Sequence, residues 1–443
     1  MMEGALKAID APYVEARFEE SWYTTIQFRG KELDQVTTSV ERGGIIRGFD
    51  GERYATIVYN DPKRLKSTKV LRLENKKAVK GLPPIKVEIL VEKKRDPREV
   101  SIDEKIELLR SYNDIIIKTE GITTTQSYYY DHFRRRYYLN TEGRDIIEEV
   151  AYCGIMLSGI AKDGMNVQSY GKTFGHQEGF ESLKGKEELA EEVAAKTLEL
   201  IRAERVESGI YDCIIDPELA GVFIHEAFGH LAEADHLYEN PRLLKIMAIG
   251  ERIGCERLSC VDDPTLAHKR GSYRFDDEGV EGKKTYLIKE GRISSYLHSR
   301  ETATKLGVEP TGNGRAINYN FAPIVRMSNT YILPGSASKE ELFEKLDRGL
   351  YVCGSRGGQT ALEDFIFAAR IGYLIENGRI TRPVREVILS GNIFQTLRNI
   401  VEVGNDLVVQ GGVGGCGKDG QAPLPVGTGG PHLLIKGVVI GGR

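Results

Sequence analysis

One apolar segment, Asp216 to Asp235, constrains this chain more than any other. It opens on Asp216-Pro217: Asp accepts backbone N–H bonds at a helix start, and Pro suits the first turn. Leu219, Val222, Phe223, Ile224, Ala227, Phe228 and Leu231 follow, apolar on most sides, which predicts a buried helix. Within it stand His225, Glu226 and His230. His-Glu on such a helix begins a zinc hydrolase pattern, in which imidazole binds metal and the carboxylate serves as general base. The common spacing puts the second His four residues after the first; here it is five. Five steps on a straight α-helix turn the rings about 140° apart. A π-type turn or kink would reunite them, and Gly229 tolerates one. The sequence therefore predicts a widened or kinked helix at 225–230. The plain alternative is two polar residues on a core helix, so a third ligand has to decide.

Cys416 is the best candidate for that ligand. It lies in Gly411-Gly412-Val413-Gly414-Gly415-Cys416-Gly417-Lys418-Asp419-Gly420-Gln421, a run too glycine-rich for a helix or a regular strand. A loop that passes close to something is expected. Two His and one thiolate would bind zinc and leave a fourth position for water. A buried small hydrophobe is the ordinary fate of a free Cys.

The separate motifs resemble the TldD/PmbA family, and specifically its TldD type. The resemblance rests on His225-Glu226-Ala227-Phe228-Gly229-His230 with Glu233-Ala234-Asp235, on Asp276-Asp277-Glu278-Gly279, and on Thr311-Gly312-Asn313-Gly314-Arg315. Arg326-Met327-Ser328-Asn329-Thr330 and Cys416-Gly417-Lys418-Asp419-Gly420-Gln421 complete it, over roughly 205–443. It implies a zinc metallopeptidase with a His-Glu-x-x-x-His signature, a Cys third ligand and one Zn²⁺ per chain. It also implies peptides or unfolded segments as substrates, within a homodimer or a heterodimer with a PmbA-type partner. PmbA-type members lack the signature that this chain retains.

The 443 residues suffice for two or three domains, and a net charge of −4 argues against a dedicated nucleic-acid binder. No apolar run approaches the ~20 residues of a membrane span, and no signal peptide is apparent. Six scattered Cys without a Cys-x-x-Cys read as reduced thiols of a cytoplasmic protein. The expected fold is α+β in two domains. Residues 1–206 form an antiparallel sheet with helices, and 207–443 a mostly β domain carrying the buried metal-binding helix.

Along the first domain, alternation predicts strands over 12–59, with Asp50-Gly51 as a hairpin turn. Residues 60–100 read as a charged connector. Ser101-x-x-Glu104 is a capping box opening a helix to about Lys118. Thr123 to Leu139 and Glu149 to Ser158 read as strands, and Lys186 to Arg205 as an amphipathic helix. In the second domain, strands are expected at Tyr211 to Ile215 and Leu433 to Ile440. Hairpins are expected at 286–293 and 373–380, and a short helix at Lys339 to Arg348.

Other polar residues are assigned more loosely. Glu233 and Asp235 are expected to orient a ligand histidine, although Glu233 as a fourth ligand would close the site. Asn313 and Arg315, on a glycine-rich loop, suit recognition of a peptide carbonyl or carboxylate. His432 is a candidate donor to a developing oxyanion. The Asp276–Glu278 run is either a solvated loop or part of the site. A rival enzyme reading makes Cys416 a nucleophile with His432 or His225 as base. A non-enzymatic reading makes the zinc structural, in a peptide-binding or assembly subunit.

Overall fold

The computed structural model describes residues 2–50, 53–60, 71–72, 81–361 and 363–441. The N-terminal part is built on one twisted sheet. Tyr13–Arg29, Glu32–Phe49, Thr124–Asn140, Arg144–Asp163 and Asn166–His176 run antiparallel to their neighbours. Tyr54–Tyr59 adds to Glu32–Phe49, and Ile85–Ile89 lies parallel to Arg144–Asp163. This last strand corrects the reading of 60–100 as connector alone; residues 61–70 and 73–80 of that stretch lie outside the described residues, as does Gly51 of the hairpin turn.

Strand alternation sends Ile26, Phe28, Tyr129, Ile155 and Leu157 to one face, where two helices bury them with Leu109, Tyr112, Ile116, Val193 and Leu200. The first helix, Ile102–Ile117, is capped as expected by Ser101 Oγ, which accepts from Glu104 N at 3.2 Å. The capping box stays half closed, because Glu104 turns its carboxylate to Arg95 at 2.6 Å. The second helix, Glu187–Arg202, stops short of Arg205. Ala203 is extended, and Glu204-Arg205 pairs with Val384 and Arg385 in the next sheet.

The C-terminal part places helix Pro217–Ile224 between two sheets. One contains Gly209–Ile215, Arg348–Ala361, Asp364–Glu376, Arg379–Arg385, Ile388–Asn392 and Leu433–Gly441. The other contains Cys260–Asp262, Thr285–Lys289, Asn329–Ile332, Val408–Gln410 and Gly427–Gly430. Phe223 meets Phe365 and Phe367 of the first sheet edge-on, with centroids 5.5 and 6.1 Å away. On the second sheet, Gly221 sits so close to Gly429 that a Cβ would lie 2.5 Å from its nitrogen. Glycine is required there because backbone meets backbone. The fold is α+β, with helices largely confined to sheet faces.

Asp276-Asp277-Glu278 is not a solvated loop. All three are buried, and Asp277 and Glu278 join the two halves of the molecule. Asp277 takes Arg136 at 2.5 Å and Arg17 at 3.4 Å, and Glu278 takes Arg47 at 3.2 Å. These arginines lie in strands of the N-terminal sheet. Removing one partner of a buried ion pair strands the other charge, so these contacts fix how the halves meet.

Candidate metal centre

Asp216 begins the site. Its carboxylate accepts Leu219 N at 2.8 Å and Gly354 N at 3.0 Å, which caps the helix and ties it to the sheet. The helix then widens: His225–Gly229 is one π-turn, closed by His230 N–H donating to His225 O, before a 3₁₀ turn at His230–Ala232. This i→i+5 bond absorbs the extra residue in the spacing. The imidazoles come to 5.3 Å between centroids, 80° apart in plane. Gly229 is required less for its dihedrals than for space, since a Cβ there would lie 2.1 Å from Met327 Sδ.

Cys416 arrives on a hairpin, not on the irregular loop expected. Cys416–Lys418 pairs with Gln421–Leu424, and both turn residues, Asp419 and Gly420, have positive φ, at 49° and 76°. Asp-Gly in that conformation is a type I′ turn, a signal present in the sequence that the glycine count obscured. Arg326, wholly buried, clamps the hairpin: it donates to Cys416 O at 2.8 Å and to Gln421 O at 3.1 Å.

The donor atoms of His225, His230 and Cys416 lie within 4.8 Å of one another, the one such trio of these types among the described residues besides Glu233, Asp235 and His236. That second group already holds a cation, because Lys418 Nζ sits 3.1 Å from Glu233 and 2.7 Å from Asp235.

The first trio fits a zinc ion on chemical grounds. His230 Nδ1 donates to Glu233 Oε2 at 3.0 Å, which leaves Nε2 as the nitrogen available to a metal, and Nε2 faces Cys416 Sγ at 3.1 Å. A ring nitrogen this close to a thiolate shares a cation with it, either a proton or a metal. Two donors at ~2.0 and ~2.3 Å from one tetrahedral ion stand about 3.5 Å apart, close to the spacing found. The electrostatics already favour the ligating form of sulfur. Burial pushes the Cys416 thiol up, but hydrogen bonds from His225 and His230 outweigh it and bring it down to about 5. Burial disfavours charge on His230, yet Cys416 and Glu233 raise it to about 10. Glu233, fully buried, is disfavoured as an anion by desolvation, but His230 and Lys418 hold it down at about 2.

Glu226 lies beside the trio, with Oε2 3.9 Å from His230 Nε2 and the side chain partly open to solvent. Asp235 holds Lys418 and accepts Val325 N at 3.3 Å, one step removed from the ligands. The remaining candidates bond away from the trio. Asn313, wholly buried, donates to Asp262 Oδ2 at 2.8 Å and Arg326 O at 3.1 Å, and accepts from Thr311 at 2.7 Å. It braces the arginine clamp instead of meeting a peptide. Arg315 donates to Met327 O and to Pro425 O, and so ties the segment between two short strands at Met327 to the end of the hairpin. His432 binds Asp406 through Nδ1 at 2.5 Å and Tyr351 through Nε2 at 2.9 Å, so neither nitrogen is left for an oxyanion. Arg326, Met327, Lys418 and Gln421 are the supporting residues that sequence reasoning did not assign.

Family models of the PmbA/TldA metallopeptidases match in three pieces. Domain 1 covers residues 14–68, the central domain 95–201 and the C-terminal domain 208–442. A metalloprotease of Synechocystis sp. is 36% identical over 98% of this chain and 95% of its own length. The zinc metalloprotease TldD homolog of Saccharolobus solfataricus is 30% identical over 95% and 96%. TldE from Thermococcus kodakarensis has the same fold, with TM-score 0.79 at 20% identity, covering 100% of this chain and 99% of its own. With the widened His-Glu helix and the cysteine hairpin in place, the chain belongs to the PmbA/TldD metallopeptidase family.

Proposed function

We propose that this protein is a zinc-dependent peptidase that cleaves peptides or unfolded segments, with His225, His230 and Cys416 holding one Zn²⁺ per chain and Glu226 acting as general base. The observation that carries this reading is the pairing of His230 Nε2 with Cys416 Sγ while Glu233 occupies Nδ1. When bound, zinc supplies Lewis acidity that polarises a carbonyl and acidifies water. The chain's own residues do the rest. Glu233 fixes the tautomer and angle of His230, as carboxylates do behind ligating histidines. Lys418 holds Glu233 anionic in a site with no solvent access to it. Glu226, at the solvated side, takes the proton of the attacking water and returns it to the leaving amine. Three donors leave a position open, as catalytic zinc requires, whereas a structural site is closed by four.

Replacing Glu226 by Gln tests this. The variant should keep its zinc and lose cleavage of an unfolded protein substrate by about 10²-fold or more; undiminished cleavage would remove Glu226 from the mechanism. A second reading rests on the same side chains, since Cys416, His230 and Glu233 are also arranged as nucleophile, base and orienting carboxylate. It requires activity to survive full removal of metal, whereas the zinc reading requires activity to disappear and return with added zinc. We also infer, from family membership and from six cysteines all free, a cytoplasmic protein. We infer further that it works as a homodimer or with a PmbA-type partner, which light scattering of the purified chain checks.

A further inference from the structure

We propose that a small cavity between the N-terminal sheet and the hairpin carrying Cys416 is a binding site for an oxyanion, a carboxylate or a phosphate. The cavity measures about 40 Å³, a few times the ~10–15 Å³ that one water needs. Its walls carry four guanidinium groups, from Arg134, Arg136, Arg270 and Arg315, against two carboxyl groups, Asp276 and Asp277.

Neither carboxyl group serves the surplus. Asp277 is engaged by Arg136 and Arg17. Asp276 is spent on backbone, accepting Glu278 N, Val280 N and Gly314 N at 2.8–2.9 Å. Arg136 is further matched by Glu148. Arg134 reaches Asp277 only at 3.9 Å. Among the described residues, no carboxylate lies within 4 Å of Arg270 or Arg315, although Arg315 gives two donors to Met327 O and Pro425 O, so Arg134 and Arg270 are the less engaged pair. Arg270 is 4% exposed, and its Nε is buried with no partner. Its remaining side-chain contacts are one hydrogen bond to Gly414 O at 3.2 Å and two tyrosine rings, Tyr152 at 3.9 Å and Tyr130 at 5.3 Å from the ring centres, none of which carries a negative charge.

Uncompensated buried cations are costly, and proteins pair them or bind anions to them. A guanidinium fork matches the oxygens of carboxylate and phosphate. His132 registers the local field: burial, with Arg134 and Arg270 nearby, holds its imidazole well below its usual range, so it is neutral and can donate a hydrogen bond. Gly414 precedes Cys416 by two residues, and Leu424, on the cavity wall, pairs with Cys416 in the hairpin. An oxyanion here lies directly behind the strand that bears the proposed zinc ligand. Two sources share this chemistry, a free anion such as inorganic phosphate and the carboxylate of a peptide.

The test is thermal melting of the full-length protein titrated with phosphate against chloride at equal ionic strength. The site predicts a saturable rise for the wild type, with the apparent affinity at least tenfold weaker in Arg270→Gln and in Arg134→Gln. Arg134 is the more open of the two, so its variant keeps the test decisive where Arg270→Gln folds poorly. No saturable rise, or an equal rise in a folded Arg134→Gln, overturns the proposal. A short peptide with a free C-terminus that competes with phosphate, where its amidated counterpart does not, identifies a peptide carboxylate as the ligand. Competition by neither identifies the free anion. The readout is binding, so loss of the peptidase reading leaves this result standing, and the reverse.

Discussion

Lys418→Met probes how the metal site is held. The Lys418 ammonium is 3% exposed and makes three contacts: Asp235 Oδ1 at 2.7 Å, Val325 O at 3.0 Å and Glu233 Oε2 at 3.1 Å. Methionine keeps the apolar stem and removes all three. Glu233, with no exposure, is then left with two histidines, His230 at 3.0 Å and His236 at 3.8 Å, and its Oε1 already lacks a partner. Breaking a buried pair in this way costs about 3–5 kcal/mol, readable as a drop in urea stability of the apo-protein. Loosening the carboxylate behind a ligand histidine costs roughly 10–100-fold in metal affinity, about 1.4–2.7 kcal/mol, readable by competition with a chromogenic chelator. The double variant Lys418→Met/Glu233→Gln removes the orphaned charge. It should recover most of the stability but not the zinc affinity, because a neutral amide is a weaker acceptor for His230. Zinc affinity within twofold of wild type in a folded Lys418→Met protein would refute the argument that Glu233, held by Lys418, sets the His230 ligand.

Gly229→Ala should destabilise the protein by roughly 1–3 kcal/mol and weaken zinc binding, because the new methyl must displace Met327 from beneath the π-turn; parallel denaturant and zinc titrations check this, and wild-type values in both would contradict it. His298 gives a pH signature. Burial, and then Lys283, lower it from the usual 6.5 to about 4. The folded state therefore binds protons less readily than the unfolded one. The associated stability is complete above pH 6.5 and lost as pH falls toward 4, up to about 3 kcal/mol. Urea titrations of His298→Gln should show a shallower loss over that window than wild type; equal slopes would dismiss the assignment.

The chemistry-bearing helix was legible because its signals are local. Asp216-Pro217 sits where a cap and first turn belong, and the five-residue spacing with Gly229 demanded the π-turn that forms. Ser101, the Lys339–Glu344 helix and the 373–380 hairpin were legible for the same reason. The residues that support the metal site were not, because their meaning lies in distant partners. Arg326 is one more basic residue until Cys416 O and Gln421 O are placed beside it, some 90 positions on. Lys418 looks like a surface charge on a glycine-rich turn, yet it is buried on Glu233. For Asp276-Asp277-Glu278 a solvated loop and a site role both stood open, because the arginines of Asp277 and Glu278 come from strands more than 130 residues earlier. Asn313 and His432 show the opposite case. Polar residues on or beside glycine-rich loops suggest recognition, but both are engaged by internal hydrogen bonds, whereas Arg315 bonds Met327 O and Pro425 O and still lines the arginine-rich cavity.

The most direct measurement is elemental mass spectrometry of the untagged protein, run beside Cys416→Ala. About one zinc per wild-type chain, with the metal lost or weakly held in the folded variant, is the predicted result. A folded wild-type protein that carries no zinc and takes up none, or a Cys416→Ala protein that holds zinc as tightly as wild type, would contradict the three-ligand centre.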